Sequence, residues 1–251
     1  MNPLPRVAIF DLDETLAQSF QAPTPLMIEV FNDLISRIPV AIMSGAGFDR
    51  IQKDVLARLQ NVSNNLSIFP NSASQCYLYI NGTWQMEYNY ILSDDERAHI
   101  KTAIINCMQE LTVIKDTVHF GQQIVDREAQ IAFTIVGLDA PAEVKKAWDP
   151  TGEKRKTVIE YLQKTLIQFD ILIGGASTID ITRKDINKAY GVVWLAERLG
   201  VPVGDMLYVG DALYPGGNDE VVKKTGIPTR QVSGPNDTFQ IITDLNKKIH
   251  Q

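Results

Sequence analysis

Val7-Ala8-Ile9-Phe10-Asp11-Leu12-Asp13-Glu14-Thr15-Leu16 begins as an unbroken apolar run and ends in two carboxylates one residue apart. Four consecutive apolar residues predict a strand buried on both faces, as in the interior of a parallel sheet. Open parallel sheets bind their ligands beyond the carboxyl ends of the strands. Asp11 and Asp13 stand at that end, where a carboxylate meets a ligand or a divalent cation without entering the sheet.

Outward from this stretch, Thr24 and Pro25 read as the cap and first turn of a helix. Met27, Val30, Phe31, Leu34, Ile35 and Ile38 then recur at spacings of three and four. Pro39 to Met43 predicts a second strand that ends in Ser44-Gly45-Ala46-Gly47, and Phe48, Ile51, Val55, Leu56 and Leu59 predict a second helix. That order is a βαβ pattern and implies a parallel sheet. After about residue 66 the rhythm changes. Asn81-Gly82 between two apolar runs predicts an antiparallel hairpin. Ser93 to Glu96 is a capping-box pattern that opens an amphipathic helix. Two strands follow around Arg127-Glu128-Ala129, then a polar stretch from Pro141 to Lys156, a helix carrying Val158, Ile159, Leu162 and Leu166, and two strands around Gly174-Gly175. The α/β pattern resumes with a helix from Lys188 to Leu199, a strand from Met206 to Val209, Gly210-Asp211, and a Gly-rich turn entering a helix near Asn218. A short strand and a C-terminal helix finish the chain.

The expected fold class is therefore α/β: a Rossmann-like parallel-sheet core with helices on both faces, plus an inserted α+β domain. The expected boundaries are 1–88 and 183–251 for the core and 89–182 for the insert.

With 45% hydrophobic and 22% charged residues, the 251-residue chain has the balance of a globular protein with a sizeable core. A net charge of -6 without a Lys/Arg cluster argues against a nucleic-acid partner. No apolar stretch approaches the roughly 18 residues of a membrane span, and no signal-peptide pattern opens the chain. A cytoplasmic protein without a membrane partner is expected. Cys76 and Cys107 lack metal or redox spacing and lie in apolar patterns, which predicts core packing. His99, His119 and His250 fall in no motif.

Four features fall at or after the ends of the expected core strands: Asp11 with Asp13, Ser44 with Gly45, Lys188, and Asp211 with Asn218-Asp219. A parallel sheet brings such positions to one rim. Carboxylates converging there repel one another unless a cation lies among them. Oxygen ligands without His or Cys favour Mg²⁺. A hydroxyl, backbone N–H groups and a lysine are donors suited to a phosphoryl group. Together they point to phosphoryl transfer, in which a carboxylate can also be the nucleophile and split the transfer through an aspartyl-phosphate.

In this order the residues resemble the haloacid dehalogenase superfamily of phosphotransferases. Asp11-Leu12-Asp13-Glu14-Thr15 is similar to its first motif, Ser44 to its second, Lys188 to its third, and Asp211 with Asp219 to its fourth. The insert resembles the cap of subfamily IIB, the Cof-like branch. Met43-Ser44-Gly45-Ala46-Gly47-Phe48-Asp49, the run from Ile173 through Asp180 to Lys188, and Gly210-Asp211-Ala212-Leu213-Tyr214-Pro215-Gly216-Gly217-Asn218-Asp219 resemble the eukaryotic-type phosphomannomutases most closely. The resemblance implies Asp11 as nucleophile, Asp13 as general acid and base, and Ser44, Gly45 and Lys188 around the phosphate. It also implies Asp11, Asp13 through its carbonyl, Asp211 and Asp219 as the Mg²⁺ site, and a monomer or a cap-paired homodimer.

In the cap, the resemblance implies substrate contacts from Arg127, Thr178 and Asp180. The chain departs from the family where a second cap arginine falls on Leu138, an asparagine on Ala132, an arginine after the first motif on Phe20, and a glycine on Glu14. An apolar residue in place of a bidentate arginine removes a charge and a fork of donors. A bisphosphate intermediate would be held less firmly. The expectation is a Mg²⁺-dependent phosphatase acting on a small phosphorylated metabolite, a sugar phosphate by class. A phosphohexomutase is the alternative, and a non-catalytic binding module a remote one.

Overall fold

The computed structural model describes residues 4–60 and 62–249; His250 lies outside them. The chain forms two compact units, one of residues 1–89 and 187–251, the other of residues 90–186. In chain order the strands are β1 (Val7–Phe10), β2 (Val40–Met43), β3 (Leu66–Phe69), β4 (Gln75–Ile80), β5 (Thr83–Asn89), β6 (Ile124–Asp126), β7 (Gln130–Thr134), β8 (Phe169–Ile173), β9 (Thr178–Arg183), β10 (Met206–Gly210) and β11 (Thr229–Gln231). The helices are α1 (Pro25–Ile35), α2 (Phe48–Asp54), α3 (Asp94–Glu110), α4 (Thr112–Lys115), α5 (Ala142–Trp148), α6 (Glu153–Gln163), α7 (Lys188–Leu199) and α8 (Pro235–Ile249).

The first unit is built on a seven-stranded sheet in the order β11-β10-β1-β2-β3-β4-β5. Its neighbours from β11 to β3 are parallel, and β4 and β5 add an antiparallel edge. The apolar opening run lies in its interior, between β10 and β2, with Val7 to Phe10 fully buried. Alternate side chains face opposite layers. Ala8, Phe10, Ile42 and Val209 pack with Met27, Phe31 and Ile242 of α1 and α8, whereas Val7, Ile9, Met43 and Tyr208 pack with Val192 and Leu195 of α7. Phe10 meets Phe31 edge-on at 5.7 Å between ring centroids. Burying one such side chain stabilises the fold by about 2 kcal/mol. The expected α/β core with helices on both faces is present.

Several elements differ from the sequence reading. β3 was not expected, because Ser67 interrupts a four-residue run too short to show a period. α2 ends at Asp54, where Arg58 donates to the Lys53 and Asp54 carbonyls and turns the chain into a 3-10 turn over Leu56–Arg58. The segment after Asn218 forms a 3-10 turn over Glu220–Thr225 in place of an α-helix. The polar stretch after Pro141 holds α5, which buries only Lys145 and Trp148 and so leaves little apolar periodicity to read.

The second unit is a four-stranded antiparallel sheet, β6-β7-β9-β8. Ile131, Phe133, Ile179 and Ile181 pack against Ile100, Ile104 and Cys107 of α3 and Val158 and Leu162 of α6. The Ser93–Glu96 capping box opens α3 as the sequence predicts. Ala132, Thr134, Thr178 and Asp180 occupy the alternate positions of β7 and β9. This unit continues past the expected end at residue 182, because β9 runs to Arg183 and Thr182 Oγ1 donates to the Ile186 carbonyl at 2.9 Å.

Cys76 and Cys107 are buried core residues, and burial pushes the Cys107 thiol up to about 12. Among the described residues no helix is long and apolar enough to cross a membrane.

Candidate active site

β1 and β10 are parallel neighbours in register at Phe10 and Val209, so Asp11 and Asp211 leave adjacent strands at the same edge of the sheet. Asp11 N–H donates to the Val209 carbonyl at 3.0 Å, which extends the ladder to the carboxylate itself. Asp219 is returned to this edge by a tight loop in which its N–H donates to Ala212 O at 3.1 Å and Ala212 N–H donates to Asp219 Oδ2 at 3.3 Å. Two glycines make that approach feasible. A Cβ on Gly210 would lie 2.3 Å from Asp219 Oδ2, and one on Gly217 would lie 2.0 Å from Ala212 O. Oxygens of Asp11, Asp211 and Asp219 fall within 4.8 Å of one another.

Lys188 begins α7, whose first turn is capped by Asn187 Oδ1 accepting from Ala189 N–H at 3.0 Å. Its ammonium donates to Asp11 Oδ1 and to Asp219 Oδ1, each at 2.6 Å. All three side chains are at least 95% buried. The Tyr208 hydroxyl donates to the same Asp219 Oδ1 at 2.6 Å. Thr15, also buried, receives the Asp211 N–H on its hydroxyl oxygen at 3.1 Å and points that hydroxyl at Asp211 Oδ1, 3.4 Å away.

The electrostatics follow from burial. Desolvation pushes the Asp11 carboxyl well above its ordinary value, Lys188 pulls it back, and Asp219 and Asp211 push it further up. Asp211 is raised to about 6, by burial first and by the Asp219 charge second. For Lys188 burial opposes the charge, but Asp11 and Asp219 outweigh it and hold the ammonium above the usual lysine range. Burial, followed by the Asp219 charge, raises Tyr208, which stays a hydroxyl donor. Three carboxyl groups against one ammonium leave an excess of acidic groups over cations in a buried space. An all-oxygen donor set with that excess fits a hard divalent cation.

Asp13 is apart from this cluster. Its carboxylate is gripped by Arg50 of α2, Nη1 to Oδ2 at 2.9 Å and Nη2 to Oδ1 at 2.6 Å, and Phe20 N–H donates to Oδ1 at 3.1 Å. Glu14 and Phe20, which bracket the loop, both have left-handed backbones, φ 56° and 62°. Glu14 Oε1 accepts from the Ser19 hydroxyl at 2.8 Å and from its N–H at 3.2 Å, tying the loop to itself.

Ser44 follows β2, the other neighbour of β1, and so stands at the same sheet edge as Asp11. It is buried; its N–H and carbonyl are committed to Phe69 O and Ser72 N–H. Its Oγ accepts from Ala46 N–H at 3.1 Å, which leaves the hydroxyl hydrogen to donate elsewhere. Gly45, directly after it, is half-buried.

Within the second unit, Asp180 lies opposite Ala132 on β7 and Leu172 on β8, and Thr178 lies opposite Thr134. Asp180 is buried, and a Cβ on Gly174 would lie 3.0 Å from its Oδ2. Arg127 Nη1 donates to Gln130 Oε1 at 2.9 Å; Gln130 shares a strand face with Ala132. Leu138 is exposed, and the buried Lys145 ammonium donates to its carbonyl at 2.8 Å. Arg155 is bonded to Asp149 at 2.9 Å and to the Gly175 carbonyl at 2.9 Å.

Sequence reasoning missed Arg50, Tyr208 and the hydroxyl role of Thr15. Tyr208 left one signal, a phenol in an otherwise apolar strand two residues before Gly210. Arg50 left none, since an arginine four residues before an aspartate on a helix reads as a surface pair.

A family model described as eukaryotic phosphomannomutase matches residues 27–248. The chain belongs to that family. Among curated relatives of this phosphomannomutase-family chain, a probable phosphomannomutase of Caenorhabditis elegans is 25% identical over 97% of this chain and 96% of its own length. The phosphomannomutase of Spinacia oleracea is 21% identical over 95% of each. Among solved structures, an IMP-bound, N-terminally truncated IMP-nucleotidase of Plasmodium falciparum superposes with a TM-score of 0.71 at 18% identity, covering 96% of this chain and 68% of that one. A trehalose-6-phosphate phosphatase of Aspergillus fumigatus has a TM-score of 0.51 at 17% identity, covering 97% and 93%. At these identities the two structures show a shared fold. Membership of the phosphomannomutase family makes the protein an enzyme of the phosphotransferase and phosphatase type.

Proposed function

We propose that the protein is a Mg²⁺-dependent phosphatase that hydrolyses a small phosphorylated metabolite, a sugar phosphate by class, through an aspartyl-phosphate. One observation carries the reading: a buried ammonium 2.6 Å from both Asp11 and Asp219, within a cluster of three carboxylates. A nucleophilic carboxylate is thus paired with a cation that also neutralises an incoming phosphoryl group.

Asp11, Asp211, Asp219 and the Asp13 carbonyl would hold Mg²⁺. When bound, that ion supplies charge neutralisation to the phosphoryl oxygens. Lys188 engages Asp11 Oδ1, so Oδ2 is the oxygen left to attack phosphorus. As the Asp11–phosphorus bond forms, the bond to the substrate oxygen breaks and Asp13 delivers a proton to the leaving alkoxide. Water then attacks the aspartyl-phosphate, Asp13 takes its proton, and Asp11 is released with inorganic phosphate. Ser44 and the Gly45 N–H orient the phosphoryl oxygens.

Arg127, Thr178 and Asp180 select the rest of the substrate. Arg155 is engaged with Asp149 and Gly175, and Leu138 offers no charge. Apolar Leu138 and Phe20 at positions where the family resemblance expects arginines suit a monophosphate released after one transfer better than a bisphosphate that must turn over in place. Phosphate release from a panel of sugar and other phosphomonoesters with Mg²⁺ tests the reading, and Asp11→Asn should abolish it with the fold intact. Absence of release across the panel overturns it.

The second reading, a phosphohexomutase, is favoured by the family match over residues 27–248. Conversion of mannose 1-phosphate to the 6-phosphate that depends on added hexose bisphosphate would establish it. Hydrolysis alone in that assay counts against it.

A further inference from the structure

We infer that Arg50 is the positioning residue of Asp13, holding its carboxylate so that Oδ2 is the oxygen that exchanges the proton. This rests on the phosphatase reading. Three features define the arrangement, all within the first unit.

First, the guanidinium approaches the carboxylate as a fork, 2.9 Å to Oδ2 and 2.6 Å to Oδ1. Two parallel bonds fix the carboxylate plane as well as its position, which a single donor does not. Second, Phe20 N–H adds a donor at 3.1 Å to Oδ1 alone. A carboxylate oxygen accepts about two hydrogen bonds. Oδ1 is therefore filled by Arg50 and Phe20, while Oδ2 keeps one lone pair open. The two oxygens of Asp13 are chemically distinct before any substrate arrives.

Third, Arg50 is itself held. Its Nε donates to Asp54 Oδ2 at 3.4 Å, one helical turn along α2, and its guanidinium carbon lies 5.1 Å from the centroid of the Phe20 ring. The Arg50 and Asp13 side chains are 26% and 30% exposed, and the Asp54 side chain 17%. These half-buried groups are screened less than a fully solvated pair. Position 20, where the chain has an apolar residue in place of an arginine, thus serves as the surface on which an arginine from another element rests.

The alternative is an ordinary surface salt bridge, which contributes little to either stability or rate. The two differ in which chemical step is lost. p-Nitrophenolate leaves phosphorus without needing a proton, whereas an alkoxide needs one; hydrolysis of the aspartyl-phosphate needs a base in both cases.

Arg50→Ala and Arg50→Lys are compared with wild type in single-turnover and steady-state assays. The substrates are p-nitrophenyl phosphate and the alkyl phosphomonoester that wild type hydrolyses fastest. For Arg50→Ala we expect first-turnover nitrophenolate release within about twofold of wild type. Its steady-state kcat should fall about 10- to 100-fold, up to the lower limit of what general acid–base catalysis contributes, because Asp13 itself remains. With the alkyl ester both phases should fall, KM should change less than about twofold, and added guanidinium should restore part of kcat. Arg50→Lys keeps the charge without the fork and should show the same pattern more weakly; it serves if Arg50→Ala does not fold. Equal losses in both phases with p-nitrophenyl phosphate, no loss with either substrate, or a raised KM at unchanged kcat each overturn the inference. A wild type that releases no nitrophenolate overturns the phosphatase reading and this inference with it, whereas the pattern of loss in an active wild type bears on Arg50 alone.

Discussion

The Lys188 ammonium lies 2.6 Å from Asp11 Oδ1, although 177 positions separate the two in the chain. It is the one cation that the structure places inside the buried acidic cluster, among the described residues. Removing one partner of such a buried set costs about 3–5 kcal/mol, because the remaining charges stay desolvated. Lys188→Met in metal-free protein should therefore lower unfolding stability by an amount of this order in urea titration. Added Mg²⁺ should recover part of the loss, while phosphate release should fall by at least about 100-fold.

Asp211 supplies a pH dependence. Its carboxyl is raised from 3.8 to about 6, by burial and then by Asp219. A carboxyl whose folded value exceeds its unfolded value contributes stability that is full below the unfolded value and lost as pH rises through the folded one. Between pH 4 and pH 7, metal-free wild type should therefore lose stability relative to Asp211→Asn. The variant should melt higher than wild type at pH 7 and close to it at pH 4. Mg²⁺ should raise the melting temperature of wild type and leave that of the variant nearly unchanged.

Gly210 is required by closeness, since a Cβ there would lie 2.3 Å from Asp219 Oδ2. The atom met is the end of a side chain, so the carboxylate moves more readily than the sheet. Gly210→Ala should displace Asp219 from Lys188 and from Ala212 N–H. The expected outcome is a Mg²⁺ affinity weakened about tenfold or more by calorimetry, with a smaller effect on the thermal midpoint.

Arg127 tests the division of labour between the two units. If it serves substrate selection, Arg127→Ala should raise KM for a sugar phosphate by about tenfold, the loss of one charge-assisted bond, and leave KM for p-nitrophenyl phosphate within about twofold. Equal changes for both substrates would remove Arg127 from any role in selection.

Strand, helix and turn chemistry made the core legible in the sequence. The run from Val7 to Phe10, the Thr24 cap, the Asn81-Gly82 hairpin and the Ser93–Glu96 capping box are local signals, and each formed as read. Where the local signal was thin it failed: β3 is cut by Ser67, and α5 buries only two side chains.

By itself the sequence determined that Asp11, Asp13, Ser44, Lys188, Asp211 and Asp219 follow strands or open a helix, because apolar periodicity and glycine-rich turns are properties of neighbouring residues. Only the tertiary structure decided what each carboxylate touches. Parallel pairing of β1 with β10 brings Asp11 beside Asp211, the close approach at Gly210 seats Asp219 under Lys188, and α2 carries Arg50 onto Asp13. The side-chain bonds of Lys188 to Asp219, Arg50 to Asp13 and Lys188 to Asp11 join positions 31, 37 and 177 residues apart. No local pattern encodes them, since they arise from which buried faces pack together and which charges that packing leaves to neutralise one another.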